Sequence, residues 1–596
     1  MRLFAPLAIV LGVLPAVAPA GEDEVPRGPV RDAARRLLDW REHGVGDLVP
    51  DVEVRDLAGT PRRLSGLARG AANVIVMRDV GCPVAKRYGP RLATLEERFA
   101  GDDVTFLYLY VDEHEDAAAI RRALDGYGLG GRALRDADAT LARTLGARST
   151  TEAFVLDRAR TLRYRGAVDD QHGIGFSRPE PTRAYLADAL DAVLARRDVP
   201  VKATTAPGCL LDLEPIVPAD DAPTYHEQIS RVLDAHCVSC HRDGGVAPFA
   251  LDDYASAEGR RAMIRYVVEH RVMPPWGAAP HGGPWLNDRS LPERDRRLLL
   301  DWIAQGCARG DPANAPVPRE WPTAWQIGEP DAVYAIPDPV AVPAEGVVDY
   351  VYQWVQTDQQ EDRWVRGFEI RPTAPGVVHH VLVFIEEPPD PRSGRRTGWQ
   401  SGLSGYFAGY VPGEGARIFG DGLARRLPAG AWLKFQLHYT PDGTATEDVT
   451  RVGFLFADEP PEHEVVTGGV HELDLAIPPG APNHREVATH RFRRAAVLSA
   501  FSPHMHLRGK AFRYELELPD GERELLLDVP AYDFNWQLMY QLAEPRIAPP
   551  GSRLVCTAWF DNSADNPANP DPSRTVRFGE QTFDEMLIGY FEWWRP

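Results

Sequence analysis

Four stretches in the C-terminal part of the sequence carry side chains that bind soft or borderline metals. "VVHHVLVF" holds His379 and His380, "LKFQLHYTPDG" holds His438, "SPHMHLRGK" holds His504 and His506, and "GEQTFDEMLIGYFEWW" holds Met586. Three imidazoles suit Cu, Zn, Fe or Ni. Two imidazoles with a thioether favour copper, because soft sulfur suits Cu(I). A fifth stretch, "CVSCH", has the spacing of a c-type haem attachment motif, with Cys237 and Cys240 forming thioethers and His241 as proximal iron ligand. The other readings of that spacing are a disulfide loop or half of a zinc site, and no second C-x-x-C completes the latter. Met273 in "RVMPPWG" is the expected sixth iron ligand, since a thioether favours a potential suited to electron transfer and Pro274 and Pro275 stiffen the loop. His270 and His281 are the other candidates for that position. Cys82 stands where an apolar strand turns into a helix, and a helix N-terminus stabilises a thiolate.

Particular elements must position these groups. Residues two apart on a strand share a face, so His504 and His506 are expected to point the same way. Adjacent His379 and His380 point to opposite faces of a regular strand, and both reach one metal only at a bulge or a strand end. After residue 345, alternating strands separated by Gly, Pro, Asn and Asp turns predict two all-β, jelly-roll-like sandwiches over 346–460 and 461–596. "YHEQISRVLDAH" before the C-x-x-C-H motif and "ERDRRLLLDWIAQG" after it read as helices packed on each other, giving an all-α domain over 224–312. Between 45 and 200 the strands "NVIVMRDV", "VTFLYLYVD" and "EAFVLD" alternate with the amphipathic helices "YGPRLATLEERFA" and "TRAYLADALDAVLARR", an α/β pattern. The proline-rich stretches 201–223 and 313–345 are expected to be linkers, the second stiff enough to keep its neighbours close while letting them reorient. Asp169 and Asp170 in "YRGAVDDQH" are expected in a solvated turn with no chemistry.

At 596 residues the chain is too long for one core, and its 44% hydrophobic content lets it fold throughout. A net charge of −20 argues against nucleic acid and anionic membrane as partners. Residues 1–20 pair Arg2 with an apolar run ending in Ala18-Pro19-Ala20, the pattern of a cleaved signal peptide; the alternative is a membrane anchor. No later segment is apolar enough to span a bilayer, so the expected location is the periplasm or the cell exterior, where thiols oxidise. Cys82, Cys209, Cys237, Cys240, Cys307 and Cys556 are too few for a disulfide framework in a chain of this length.

Taken in order, the His-His pair, the distant His, the His-x-His and the Met of "DEM", with "HLRGK" beside them, resemble the ascorbate-dependent type II copper monooxygenases over residues 345–596. That family includes peptidylglycine α-hydroxylating monooxygenase and dopamine β-monooxygenase. The resemblance implies an electron-storing copper at His379, His380 and His438 and an oxygen-binding copper at His504, His506 and Met586, on two sandwiches facing across a wet cleft. It also implies hydroxylation of a substrate C–H bond by O2, with ascorbate or another external reductant as donor. Ser502 stands where the peptide-amidating members have an Arg that grips the substrate carboxylate, so a small-molecule or a peptide-like substrate remains open. Leu587 stands where the family has a Cys, which leaves Cys556 unpaired and buried.

The segment around "CVSCH" resembles a cytochrome c domain, and residues 45–200 resemble the thioredoxin-like fold of the redoxin and alkyl-hydroperoxide-reductase type. Ala85 stands where a dithiol oxidoreductase has its second Cys, Asp79 and Ile75 where a peroxiredoxin has Thr and Pro, and Thr151 at the thioredoxin cis-Pro position. Cys82 is then either a one-cysteine redox site, pairing with Cys209 in "APGCLL", or part of a structural domain. The expectation that follows is an exported oxidoreductase: a copper monooxygenase with electrons supplied through a fused, covalent c-type haem. Its rivals are a non-catalytic copper and haem electron-transfer or sensing protein, and a thiol peroxidase with accessory metal domains.

Overall fold

The strand Ala72–Arg78 is buried at every position, which requires cover on both faces. In the computed structural model, which describes residues 28–31, 35–214, 217–280, 283–321, 324–387 and 405–596, that cover is present. The strand lies inside a seven-stranded sheet, parallel to Val104–Tyr110 and through it to Arg132–Arg135. Ala153–Asp157 and Leu162–Gly166 extend the sheet antiparallel on one side, and Glu53–Asp56 and Pro61–Arg63 close the other edge. The helices Pro83–Arg98 and Tyr185–Leu194 pack on Val74, Val76 and Tyr108, while Thr140–Leu145 packs on Ile75, Met77 and Leu107 across the sheet. The signal-peptide stretch 1–20 and His281 lie outside the described residues.

Two sequence expectations fail in this unit. Residues 203–211 are not a free linker. Thr204 N–H donates to Arg165 O, Leu211 N–H donates to Arg148 O, and Ala203 and Thr204 are fully buried. The edge strand Leu162–Gly166 has backbone groups left to pair, and this segment satisfies them. Asp169 and Asp170 are buried rather than solvated. Asp169 accepts hydrogen bonds from Tyr88 Oη (2.9 Å) and Arg91 Nε (3.1 Å), and Asp170 from the N–H groups of Thr182 and Arg183. These donors replace the water that a buried carboxylate loses.

Between the sheets of the two ends lies a helical unit. A π-turn, Tyr225–Ile229, runs into the helix Ser230–His236, and Arg261–Glu269 and Glu293–Ala304 follow. Ile229, Leu233, Leu299, Trp302 and Ile303 form its core.

The remainder is mostly β. In its first half, a sheet containing Arg451–Phe456, Arg363–Arg371 and Leu423–Leu427 faces one with the order Val351–Gln356, Trp432–Tyr439, Val378–Glu386, Tyr406–Tyr410 across a shared core. In its second half, Val466–His471, Ile588–Trp594, Ala496–His504 and Tyr540–Ala548 face His484–Arg491, Arg553–Phe560, Gly509–Glu517 and Arg523–Val529. The proline-rich stretch before residue 346 already contributes strands: Ala332–Ala335 pairs with Arg451–Phe456 and Val340–Val342 with Thr446–Asp448. Its prolines at 337, 339 and 343 flank these strands instead of interrupting them.

The halves are joined by charge in their interior. Glu592, from the second, is 1% exposed and accepts from both Arg417 and Arg425 of the first. The helical unit is docked, not tethered. Leu286 N–H donates to Gln541 O (2.8 Å) and Ala543 N–H to Pro284 O (2.9 Å), which adds a short strand to the free edge of Tyr540–Ala548. Trp276 and Trp285 pack beside it on Tyr540, with ring centroids 4.9 and 5.7 Å away. In this arrangement the unit is held against the β region by backbone pairing as well as by the connecting stretch. No helix among the described residues is long and apolar enough to cross a membrane.

Candidate metal centre

The strand Val378–Glu386 pairs with Trp432–Tyr439 in a register that shifts between Val378 and His380. That irregularity is the bulge adjacent histidines need. His380 is the direct cross-strand partner of His438, and His379 turns to the same side, with its Nδ1 3.1 Å from the Nδ1 of His380. Two ring nitrogens on one ion, each about 2.0–2.1 Å from it, stand about that far apart. The ligand atoms of His379, His380 and His438 all lie within 4.8 Å of one another, the one group of three or more such side chains among the described residues.

His504 ends the strand Ala496–His504, and His506 lies in the turn beyond it, not on the same strand as the alternation predicts. The two rings still come together, with centroids 5.3 Å apart. His504 Nδ1 is bonded to Gln537 Oε1 at 2.6 Å and His506 Nδ1 to the Asp584 carbonyl at 3.3 Å, so the Nε2 atoms are the ones that could face a metal. Met586 is 6% exposed, in a small cluster with Ile588 and Tyr590.

The two histidine groups are not separated by a wet cleft. The rings of His380 and His504 meet edge-on, with centroids 6.4 Å apart. The cavity that both line, with Tyr406, Tyr410 and Tyr590, holds about 60 Å³. The loop around Phe534 closes the gap: its ring stacks on His379 at 4.5 Å and approaches His438 and His506 at 5.9 and 6.1 Å. The donor set fits a metal. Nε2 of His379, His380 and His506 and Nδ1 of His438 are buried without a hydrogen-bond partner. Burial lowers all five imidazoles, to about 4 for His379 and His504 and well below the usual value for the other three. They are therefore neutral at pH 7, which is the ligating form.

Sequence reading missed the residues that hold these ligands. Glu585 is fully buried and accepts from the N–H groups of His506 (2.8 Å), Arg508 (2.6 Å) and Met586 (3.1 Å), tying the His-x-His turn to the methionine. Phe534 and Gln537 reach across from a loop with no metal-like spacing. Tyr350 packs on His438 at 4.7 Å. The "E" of "DEM" is the one signal that pointed to any of them.

In the helical unit, the N–H groups of Cys240 and His241 both donate to Cys237 O, so one turn gathers the two thiols and the imidazole. His241 Nδ1 is bonded to Phe249 O at 3.1 Å, leaving Nε2 for an iron. Cys237 and Cys240 are free thiols, which suits thioether attachment. Met273 is half-buried in the loop after Arg261–Glu269, its N–H bonded to Val267 O at 3.2 Å. His270, exposed, bonds through Nδ1 to Tyr266 O. Cys556 is buried and free, as expected, and so is Cys307.

Cys82 is the N-cap of Pro83–Arg98 and is 1% exposed. Its neighbour is Cys209, hydrogen-bonded to it through sulfur. Burial pushes the Cys82 thiol up, but hydrogen bonds from Cys209, Thr150 and the Ala85 N–H outweigh it and bring the pKa to about 7.

Among known families, AhpC/TSA matches residues 45–165. No curated protein matches the chain. Solved structures similar to part of it include a hypothetical protein from Sinorhizobium meliloti 1021, 25% identical over 30% of this chain and 97% of that one, with TM-score 0.27. Peroxidoxin BcpB from Mycobacterium tuberculosis is 21% identical over 26% and 94%, with TM-score 0.20. A secreted Mycobacterium tuberculosis disulfide oxidoreductase homologous to E. coli DsbE is 19% identical over 24% and 96%, with TM-score 0.19. The N-terminal α/β domain is thus a thioredoxin-like redoxin domain, which points to a redox function.

Proposed function

We propose that this is an exported, copper-dependent monooxygenase that hydroxylates a C–H bond with O2 and draws electrons through a covalently attached c-type haem. The observation that carries the reading is the convergence of five histidine rings, four with a buried ring nitrogen lacking any partner. His379, His380 and His438 would hold one copper, and His504, His506 and Met586 the other. Bound there, copper would exchange single electrons with O2 and with a donor. The chain's own part is orientation and exclusion. Gln537 and the Asp584 carbonyl fix the ring faces of His504 and His506, and Glu585 fixes the backbone between His506 and Met586. Phe534 covers one side of His379 and three tyrosines line the cavity, which shields the histidines in part from water. The cavity that His380 and His504 line has about 60 Å³ of room, enough for O2 or a few waters. The test is metal analysis with an optical spectrum of the purified protein, then O2-dependent product formation with ascorbate over a panel of small C–H substrates. Metal-loaded protein that consumes no O2 with any reductant leaves the non-catalytic electron-transfer reading. The AhpC/TSA match separately supports thiol chemistry, and loss of peroxide turnover in Cys82→Ser would make that the main activity.

Two further results are expected. Acid–acetone extraction of protein matured with haem leaves the haem on the chain, because Cys237 and Cys240 hold it covalently. Complete extraction refutes the attachment. Met586→Ile keeps bulk in the Ile588 and Tyr590 cluster but removes the sulfur that stabilises Cu(I). Copper content should persist, while hydroxylation falls by more than the roughly 10–100-fold that loss of an outer-shell partner costs. Unchanged turnover in the isoleucine variant assigns Met586 to the core.

A further inference from the structure

The metal reading leaves one reactive pair unused. Cys82 Sγ accepts from Thr150 Oγ1 at 2.9 Å and from Ala85 N–H at 3.4 Å. The same Thr150 oxygen accepts the Cys209 N–H at 2.9 Å, and Thr150 N–H donates to Cys209 O at 2.9 Å. Thr151 Oγ1 donates to Pro207 O at 2.6 Å, and Ser149 and Leu210 form an antiparallel bridge. Residues 207–210 are therefore laid as an added strand along residues 149–151, with the Cys209 sulfur on Cys82. Gly208 permits this approach: at φ +116, a Cβ there would stand 2.4 Å from Thr150 O. This segment lies outside the residues that match the AhpC/TSA family.

Cys82 is closed from the other side as well. The helical unit sets Phe249 and Arg260 against Gly81, where a Cβ would stand 3.2 and 2.5 Å from them, and Lys86 Nζ donates to Pro248 O at 3.2 Å. Cys209 is the less buried sulfur of the two, with exposed Leu210 beside it.

We propose that Cys82 and Cys209 form a reversible disulfide that takes electrons from external thiols, with attack at the Cys209 sulfur and Cys82 as the leaving thiolate. A donor thiolate bonds to Cys209 Sγ, the Cys82–Cys209 bond breaks, and Cys82 departs as a thiolate held by Thr150 and the Ala85 N–H. A second donor thiol then attacks the donor sulfur of the mixed disulfide, and Cys209 leaves and takes a proton. Two donor thiols become one disulfide, and two electrons pass to the protein pair. A low-pKa thiol leaves fastest and, by stabilising the reduced form, makes the pair a good oxidant. In this order the cysteine at the helix start is the shielded partner, and the one behind the domain is the point of contact. The inference is independent of copper and haem.

The test uses full-length protein and glutathione, read by mass spectrometry of alkylated peptides. Wild type in a glutathione redox buffer should yield a Cys82–Cys209 linked peptide that reduced glutathione removes. With oxidised glutathione, Cys82→Ser should be glutathionylated at Cys209 on the order of tenfold faster than Cys209→Val is at Cys82, because access limits the exchange. The valine fills the place of the Cys209 side chain and keeps Cys82 covered. Equal or faster modification of Cys82, or absence of the linked peptide from wild type across the buffer range, overturns the proposal. The wild-type measurement decides even if a variant does not fold.

Discussion

His504→Ala is expected to lose one copper per chain and to lose turnover, while His379, His380 and His438 keep theirs. His504 is held by Gln537 on one nitrogen and lines the cavity with the rest of its ring, so alanine removes a ligand without removing any element of the fold. Loss of a direct ligand should cost more than the roughly 10–100-fold typical of an outer-shell partner. The reciprocal change, His380→Ala, should remove the other copper. With the His380 and His504 rings 6.4 Å apart, the competing result is specific: one shared site, in which either variant strips all the metal. Copper analysis of both folded variants separates the two outcomes, and joint loss rules out independent sites.

Gly413→Val is expected to slow electron transfer from haem to copper while both cofactors stay bound. Gly413 sits at φ +80 in the turn after Tyr406–Tyr410, and a Cβ there would stand 2.9 Å from Cys240 Sγ. The turn thus passes close to the sulfur of Cys240, one of the two thiols proposed to attach haem. It is clamped by Arg289 to Gly413 O (2.8 Å) and by Asn287 to Glu414 (3.0 Å). Tyr410, at the near end, pairs with Val381 beside His380 and lines the same cavity as His380 and His504. Valine adds about 1–3 kcal/mol of backbone strain at this conformation and must push the turn or Cys240 away. In protein that carries haem and Cu(II) in the same chain, haem reduced anaerobically by a light flash should reoxidise as copper is reduced, one electron per iron. The rate should be independent of protein concentration in wild type and slower in the variant. Gly420→Ala, where a Cβ meets only Leu423 at 3.9 Å, should leave the rate unchanged. Equal rates for Gly413→Val and wild type would falsify this route, and haem that stays reduced beside Cu(II) in wild type would rule out coupling altogether.

What the sequence made legible is local. The apolar run Ala72–Arg78 reads as a doubly covered strand because its burial is continuous, and the need for a bulge at His379 follows from strand alternation alone. The ligand motifs themselves are short and regular. What escaped depends on partners far along the chain. Residues 203–211 look like linker until the open edge of Leu162–Gly166 is beside them. Asp169 looks solvated until Tyr88 and Arg91 arrive to satisfy it. Phe534 stacks on His379 only because one half of the mostly-β region closes on the other, and Gln537 meets His504 only because a loop folds back over the end of its strand. Glu585 serves through backbone N–H groups, a role that leaves no spacing rule in the sequence.

The strand that residues 284–287 add to Tyr540–Ala548 ties the folding of the β region to the helical unit. Excising the helical unit would bare the edge of that nine-residue strand and the seat of two tryptophans, a template for self-association. A truncation that keeps the β region and removes the helical unit should therefore produce aggregate.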